Sequence, residues 1–300
     1  MPIIISRDLP AYETLTRENI FVMHTERAFS QDIRPIEIAV LNLMPIKIDA
    51  ETQLLRLLGN TPLQVNVTLL RTGSYKSRNT SEEHLDRFYK SFADVKNRHF
   101  DGMLITGAPV ETLPFEEVRY WNELKEIMDF AQTRTTSTIY ICWGAQAALY
   151  HHYGIDKTEL KEKMFGVFPT RKMTNDRLLK GMDDVFYIPH SRHTGIDEAA
   201  VLRRNDLEVL AVSELAGFSI IKSTDDKKIF LTGHSEYDRD TLNNEYERDL
   251  KKGLNIKPPY NYYGKGLSSG AVDMKWASAA NLIFYNWMNY YVYQVTPYDL

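Results

Sequence analysis

Cysteine is nearly absent from this chain: Cys142 is the only one in 300 residues. A single thiol excludes an intramolecular disulfide and points to a reducing compartment. Positive charge is not in excess either. The formal net charge is −4, which gives no support for nucleic-acid binding, since that needs a basic patch. No uninterrupted apolar stretch approaches the length of a membrane span. The first residues, Met1-Pro2-Ile3-Ile4-Ile5-Ser6-Arg7-Asp8, lack the charged n-region and long apolar core of a signal peptide. The expected location is the cytoplasm, with neither membrane nor nucleic acid as partner. Repeats, low-complexity tracts and Gly/Ser-rich linkers are also missing. This favours one domain over residues 1–300, with an N-terminal extension over about 1–35. A chain of this length can bury the core of one large α/β domain or two small ones.

Strand-like and helix-like stretches alternate through the first half. Ile36–Leu43 reads as a strand, followed by a helix over Ala50–Leu58 that stops at Gly59. Leu63–Leu70 is a second strand with a helix over Glu82–Phe92, and Gly102–Thr106 a third with a helix over Val118–Gln132. Thr138–Ile141 is a fourth, leading into Cys142. This alternation implies a mostly parallel sheet with helices on both faces. Further on, Val185–Ile188, Leu207–Val212, Phe218–Lys222 and Lys228–Leu231 are closely spaced strands, partly antiparallel. A helix over about Arg239–Lys252 follows, and the aromatic-rich Asn281–Gln294 is expected as a final helix. That aromatic stretch fits a homodimer interface as well as a core.

Cys142 stands where a β-branched, aromatic run ends and a small-residue helix begins, Gly144 to Leu149, with Gly154 as the stop. A nucleophile on such a strand-to-helix turn projects at the carboxyl edge of the sheet. There the N–H groups of the opening helix favour a thiolate and can hold an oxyanion. A free cysteine is also a common space-filling core residue, so the turn alone leaves both readings open. Ligands of open sheets bind beyond the carboxyl ends of the strands. Gly107-Ala108-Pro109 and Gly233-His234-Ser235-Glu236 follow two other strands in this way, so the three loops are expected to converge. His234 and Glu236 are one residue apart, and in an extended segment such a pair points to one side. A carboxylate beside an imidazole fixes its tautomer and stabilises the imidazolium.

The remaining histidines carry weaker signals. His190 and His193 lack a third ligand at metal-like spacing, so no metal is expected. His151 and His152 end a helix, where positive charge is favourable. His24, His84 and His99 read as surface or loop residues. Glu245 and Arg248 are three apart on a predicted helix and share a face. If that face borders the site, they suit the ammonium and carboxylate of an amino acid.

Longer motifs run through the whole chain. They include Asn19-Ile20-Phe21-Val22-Met23, Ile33-Arg34-Pro35, Leu41-Asn42-Leu43-Met44-Pro45, Arg78-Asn79-Thr80, Thr106-Gly107-Ala108-Pro109 and Cys142-Trp143. They continue through Pro189-His190-Ser191-Arg192, Thr232-Gly233-His234, Glu236-Tyr237-Asp238 and Asn289-Tyr290-Tyr291-Val292-Tyr293-Gln294. On these the sequence resembles the homoserine O-acyltransferases of the homoserine O-succinyltransferase type, which act early in methionine synthesis. The resemblance implies a class I glutamine amidotransferase-like (flavodoxin-like) fold. That fold's elbow reads Gly-x-Cys-x-Gly-x-Gln. Here Cys142, Gly144 and Gln146 are kept, but Tyr140 replaces the first glycine and His234-Ser235-Glu236 replaces His-Pro-Glu. These departures argue against ammonia release from glutamine.

The resemblance further implies a Cys142 thioester, His234 as base and Glu236 as its support. It puts Lys163, Ser191 and Arg248 on substrate and Lys47 at the active site. Coenzyme A would be a co-substrate, with no bound cofactor. Backbone N–H groups of Trp143 and of the Gly107-Ala108 loop are the expected oxyanion donors. Succinyl-specific relatives carry Gly where this chain has Glu111, and a fixed carboxylate there would repel the succinyl carboxylate. Two like charges about 4 Å apart at an effective dielectric near 20 repel by roughly 4 kcal/mol, less where solvent enters. The expectation is therefore an acetyltransferase acting on L-homoserine and acetyl-CoA. A succinyltransferase, a glutamine amidotransferase-like amidohydrolase and a non-catalytic binding protein are the alternatives.

Overall fold

A computed structural model describes residues 3–24, 34–74, 79–264 and 270–296. Residues 1–2 and 25–33 of the expected N-terminal extension, Ile33 among them, and Arg78 lie outside the described residues. Among those described, twelve strands form one sheet in the order β2-β1-β4-β3-β6-β7-β12-β11-β10-β8-β9, with β5 beside β4. The strands on the parallel side are β1 (Ile3–Ile4), β2 (Val22–Met23), β3 (Ile36–Leu41), β4 (Val65–Arg71), β5 (Tyr89–Ser91), β6 (Phe100–Ile105), β7 (Thr135–Ile141) and β12 (Lys228–Leu231). The antiparallel side comprises β8 (Lys157–Lys172), β9 (Val185–Ile196), β10 (Leu207–Ser213) and β11 (Gly217–Ser223), with β11 antiparallel to β12. The short N-terminal strand β1 pairs in parallel with β4, so the start of the chain extends the sheet.

Period-two alternation builds the two faces. In β3, Ile36, Ile38 and Val40 enter one apolar cluster, while Ala39 and Leu41 enter the other. β7 divides in the same way, with Ile139 and Ile141 on one face and Tyr140 on the other. The first face is covered by helices α1 (Pro10–Arg17) and α2 (Lys47–Gly59) and by the C-terminal segment. The second is covered by α5 (Trp121–Arg134) and α6 (Trp143–Tyr153). Strands buried on both faces read as continuous apolar runs, which is why β3, β6 and β7 were visible in the sequence. The remaining helices are α3 (Glu82–Phe88), α4 (Phe92–Val95), α7 (Glu198–Leu202), α8 (Thr241–Lys251) and α9 (Ala277–Asn286). No helix among the described residues is long and apolar enough to cross a membrane.

Three expectations need correction. The helix expected over Glu82–Phe92 stops at Phe88, and Tyr89–Ser91 becomes β5, paired with β4. The cause is Tyr89, whose buried hydroxyl donates to Glu51 at 2.6 Å and accepts from Asn42 at 2.9 Å. The C-terminal helix begins at Ala277, and its last stretch, Trp287–Tyr293, is wound as a π-helix. There the Trp287 indole donates to Ser137 at 3.1 Å and lies against Gly102, where a Cβ would meet its ring at 2.9 Å. Finally, the long strand β8 was not anticipated. Its first half is largely exposed, so it has no apolar period, and its pairing with β9 is broken by a bulge between Glu159 and Met164.

The sheet order places β6, β7 and β12 side by side. The loops that follow them are Gly107-Ala108, Cys142 and Gly233-His234, so adjacency of the strands brings these loops to one edge. The elbow requires close packing there. A Cβ on Gly144 would lie 2.7 Å from the Thr106 carbonyl oxygen and 2.9 Å from that of Ile105. Backbone cannot move aside as a side chain can. Gly144→Ala should therefore destabilise the protein by about 1–3 kcal/mol. The check is urea unfolding, with a lower midpoint expected at unchanged slope.

Candidate active site

Cys142 caps α6 with φ 51° and ψ −116°, a backbone conformation that side-chain-bearing residues rarely adopt. Its N–H donates to Leu231 of β12 at 2.7 Å, and its carbonyl accepts from Ala145 at 2.9 Å and Gln146 at 3.1 Å. The turn is thus fixed from the neighbouring strand and from its own helix, which is what keeps a strained residue in place. Cys142 is a free thiol, 5% exposed.

His234 approaches from the loop after β12. A Cβ on Gly107 would lie 3.3 Å from the Cys142 Cβ and 3.5 Å from the His234 Cε1. Gly107, Cys142 and His234 therefore surround one small space. The Gly107 loop is itself pinned: the Thr106 hydroxyl accepts from the Leu43 N–H at 2.8 Å and donates to the Gly107 carbonyl at 3.1 Å. His234 Nδ1 is 2.6 Å from Glu236 Oε1, with both residues buried. Burial is the largest single influence on the imidazole and works against its charge. Cys142 and the Glu236 carboxylate, each through charge and a hydrogen bond, together overcome it and raise His234 well above its ordinary value. Tyr237 stacks on the His234 ring at 4.2 Å.

A second polar cluster lies beside the first. Glu245 on α8 accepts from Ser191 at 2.5 Å, Tyr237 at 3.2 Å and Lys163 at 3.5 Å. Lys163 sits in the β8 bulge and also reaches Asp249 at 3.3 Å. Arg248 pairs with Asp249 at 2.9 Å and stays half exposed. Glu245, Arg248 and Tyr237 line a cavity of about 140 Å³ together with Met44, Pro45 and Ile46. The structure thus brings Lys163, Ser191, Glu245 and Arg248 into one group. Lys47 is placed differently: its ammonium donates to the Asn42 carbonyl and lies 5.8 Å from the Tyr89 ring centre. Burial, partly offset by Glu51, pulls Lys47 down to about 8.

Trp143 opens α6, where first-turn N–H groups lack intrahelical acceptors. Its indole is buried beside Tyr120 and Phe115. Ala108 is buried on the loop after Gly107. Glu111 lies farther along that loop, half-buried, and lines a cavity of about 350 Å³ with Phe115, Tyr150, Lys157, His193 and Thr194.

Some expectations about single residues fail. His84 is buried rather than on the surface, with Nε2 2.9 Å from Glu51. His152 is not a helix-end cation, because burial lowers it to about 4. His190 and His193 are three residues apart in β9 and therefore on opposite faces, one fully buried and the other exposed. Asp129, His151 and His152 bring ligand atoms within 4.8 Å of one another, but at the far end of α6 from Cys142. Sequence reasoning passed over three buried residues at the site: Arg192, Thr194 and Gln146. Arg192 donates to the carbonyls of Thr194 and Ala216, each at 2.6 Å. The elbow motif contained Gln146, but nothing in the sequence showed what it faces.

Comparison with known proteins agrees with this architecture. A glutamine amidotransferase from Thermotoga maritima shares the fold at TM-score 0.58 and 11% identity, covering 85% of this chain and 98% of the other. A glutamine amido transferase from Methylobacillus flagellatus does so at TM-score 0.51 and 12% identity, covering 86% and 95%. The fold is class I glutamine amidotransferase-like. A protein of Clostridium novyi called homoserine O-acetyltransferase is 58% identical over 100% of this chain and 99% of its own length. One of the same name from Geobacillus kaustophilus is 57% identical at the same coverage. The homoserine O-succinyltransferase family profile matches residues 2–298, so the chain belongs to the homoserine O-succinyltransferase family and is an acyltransferase.

Proposed function

We propose that this enzyme transfers an acetyl group from acetyl-CoA to the γ-hydroxyl of L-homoserine through a thioester on Cys142. The product is O-acetyl-L-homoserine, an intermediate on a route to methionine. The observation that carries the reading is the pairing of an elbow cysteine with a buried His234–Glu236 pair around the space left by Gly107. The names and full-length identity of the relatives support homoserine and acetyl as substrate and acyl group.

In the first half-reaction the Cys142 sulfur attacks the thioester carbonyl. The N–H groups of Trp143 and the Gly107-Ala108 loop are assigned to the oxyanion. The tetrahedral adduct collapses, coenzyme A leaves, and the His234 imidazolium supplies its proton, giving the free thiol and an acyl-enzyme. In the second half-reaction His234, now neutral, takes the proton of the homoserine γ-hydroxyl as oxygen attacks the acyl carbon. Cys142 leaves as thiolate and the ion pair is restored. Arg248 is assigned to the homoserine carboxylate and Glu245 to its ammonium, with Lys163 and Ser191 holding Glu245 in position. Lys47 is assigned a supporting role under the Asn42 turn. Coenzyme A acts as a co-substrate.

Mass spectrometry of protein mixed with acetyl-CoA, without homoserine, should show one acetyl group on Cys142. Cys142→Ala should show none and should lose turnover. His234→Ala should lose about 10²–10⁴-fold and Glu236→Gln distinctly less; wild-type turnover in Cys142→Ala would end the proposal.

The two half-reactions should differ in pH dependence. Acylation takes away the Cys142 sulfur as one of the two groups that raise His234. The imidazole of the acyl-enzyme should then titrate closer to its ordinary range. Stopped-flow release of coenzyme A, which uses the raised His234 as its acid, should fall only towards alkaline pH. Deacylation by homoserine should rise with pH until His234 is neutral.

Glu111 is assigned to acyl choice. Glu111→Gly should raise kcat/KM for succinyl-CoA and weaken the preference for acetyl-CoA. A wild-type enzyme that already prefers succinyl-CoA would overturn this assignment while leaving the Cys142 chemistry intact.

A further inference from the structure

A carboxylate on a loop can swing, and a swinging charge discriminates poorly between acyl groups. Among the described residues, the Glu111 carboxylate has one hydrogen-bond neighbour, the Thr194 hydroxyl, with Oγ1 3.4 Å from Oε2. Thr194 is itself fixed twice to Gln146. The Gln146 amide nitrogen donates to the Thr194 carbonyl at 3.1 Å, and its amide oxygen accepts from the Thr194 hydroxyl at 2.9 Å. Arg192 holds the same carbonyl from another side at 2.6 Å. Gln146 lies one helical turn beyond Cys142, whose carbonyl accepts its N–H at 3.1 Å. Thr194 and Gln146 are each 2% exposed, so solvent does not compete for these bonds.

A continuous path therefore runs from the nucleophile through Gln146 and Thr194 to Glu111. The hydroxyl has a single proton for two acceptors. The shorter contact goes to Gln146, and the contact to Glu111 is long for an O–H···O bond. We propose that Thr194 is a positioning residue for acyl selection, setting the Glu111 carboxylate at a defined place relative to Cys142. A donor with a free carboxylate then meets a localised negative charge, while a methyl group does not. This rests on the assignment of Glu111 to acyl choice made above.

The test compares kcat/KM for acetyl-CoA and succinyl-CoA in wild type, Thr194→Val, Thr194→Ser and Glu111→Gly. Valine keeps the shape and removes the hydroxyl. The acetyl-to-succinyl ratio should fall roughly fivefold in Thr194→Val, the worth of one weak bond to a charged group, and stay at the wild-type value in Thr194→Ser. A purely structural role would slow both donors equally and leave the ratio unmoved. An unmoved ratio in Thr194→Val with a changed ratio in Glu111→Gly overturns the role of Thr194 and leaves that of Glu111 standing. No change in Glu111→Gly overturns the assignment of Glu111 itself, and Thr194 falls with it. Should Thr194→Val fail to fold, Thr194→Ala, which removes the hydroxyl without refilling its place, carries the test. Its ratio should also fall, and an unmoved ratio again overturns the proposal.

Discussion

The site depends on one strained residue held from two sides. Cys142 occupies a positive-φ conformation that costs of order 1–3 kcal/mol. The Leu231 carbonyl takes its N–H, and the first turn of α6 closes on its own carbonyl. Gly144 permits this because only a residue without Cβ fits against the carbonyls of Ile105 and Thr106. The same packing sets the distance between the elbow and the end of β6, and with it the room available at Gly107. The adjacency of β12 brings His234 to the same space. Loosening this contact would disturb Cys142, the Gly107 loop and His234 together.

Around that elbow, charge is arranged in pairs that share atoms. His234 lies between Cys142 and the Glu236 carboxylate, and both raise it against the effect of burial. Tyr237 stacks on His234 and donates to Glu245. The base and the second polar cluster are therefore in mechanical contact through one ring. The cavity beside them combines apolar side chains from the loop after β3 with Glu245 and Arg248 of α8.

Much was readable because strongly driven features leave strong patterns. Strands buried on both faces appear as continuous apolar runs, and Gly154, at φ 67°, ends α6 where a left-handed residue is needed. Short-range spacing singled out the His234–Glu236 pair, although the structure forms it in a turn, with the Tyr237 N–H donating to the His234 carbonyl at 3.3 Å, and not in the extended segment expected. Glu245 and Arg248 share a helical face by their spacing. The family motifs were legible because they span the chain.

Other features have no local signal. β8 begins as an exposed, charged ribbon, and only pairing with β9 makes it a strand. Tyr89 ends α3 because a distant carboxylate, Glu51, captures its hydroxyl. His84 looks like a surface residue until packing beside Glu51 buries it. The sequence by itself determined the layered α/β plan, the elbow with Cys142 and the His-x-Glu pair, because each is written in residues a few positions apart. Tertiary structure alone decided that Gly107, Cys142 and His234 surround one space and that Gln146 and Thr194 lead from Cys142 to Glu111. It also decided that Lys163 and Ser191 hold Glu245. Those contacts join segments far apart in the chain, and their distances follow from strand order and close packing, which no local pattern encodes.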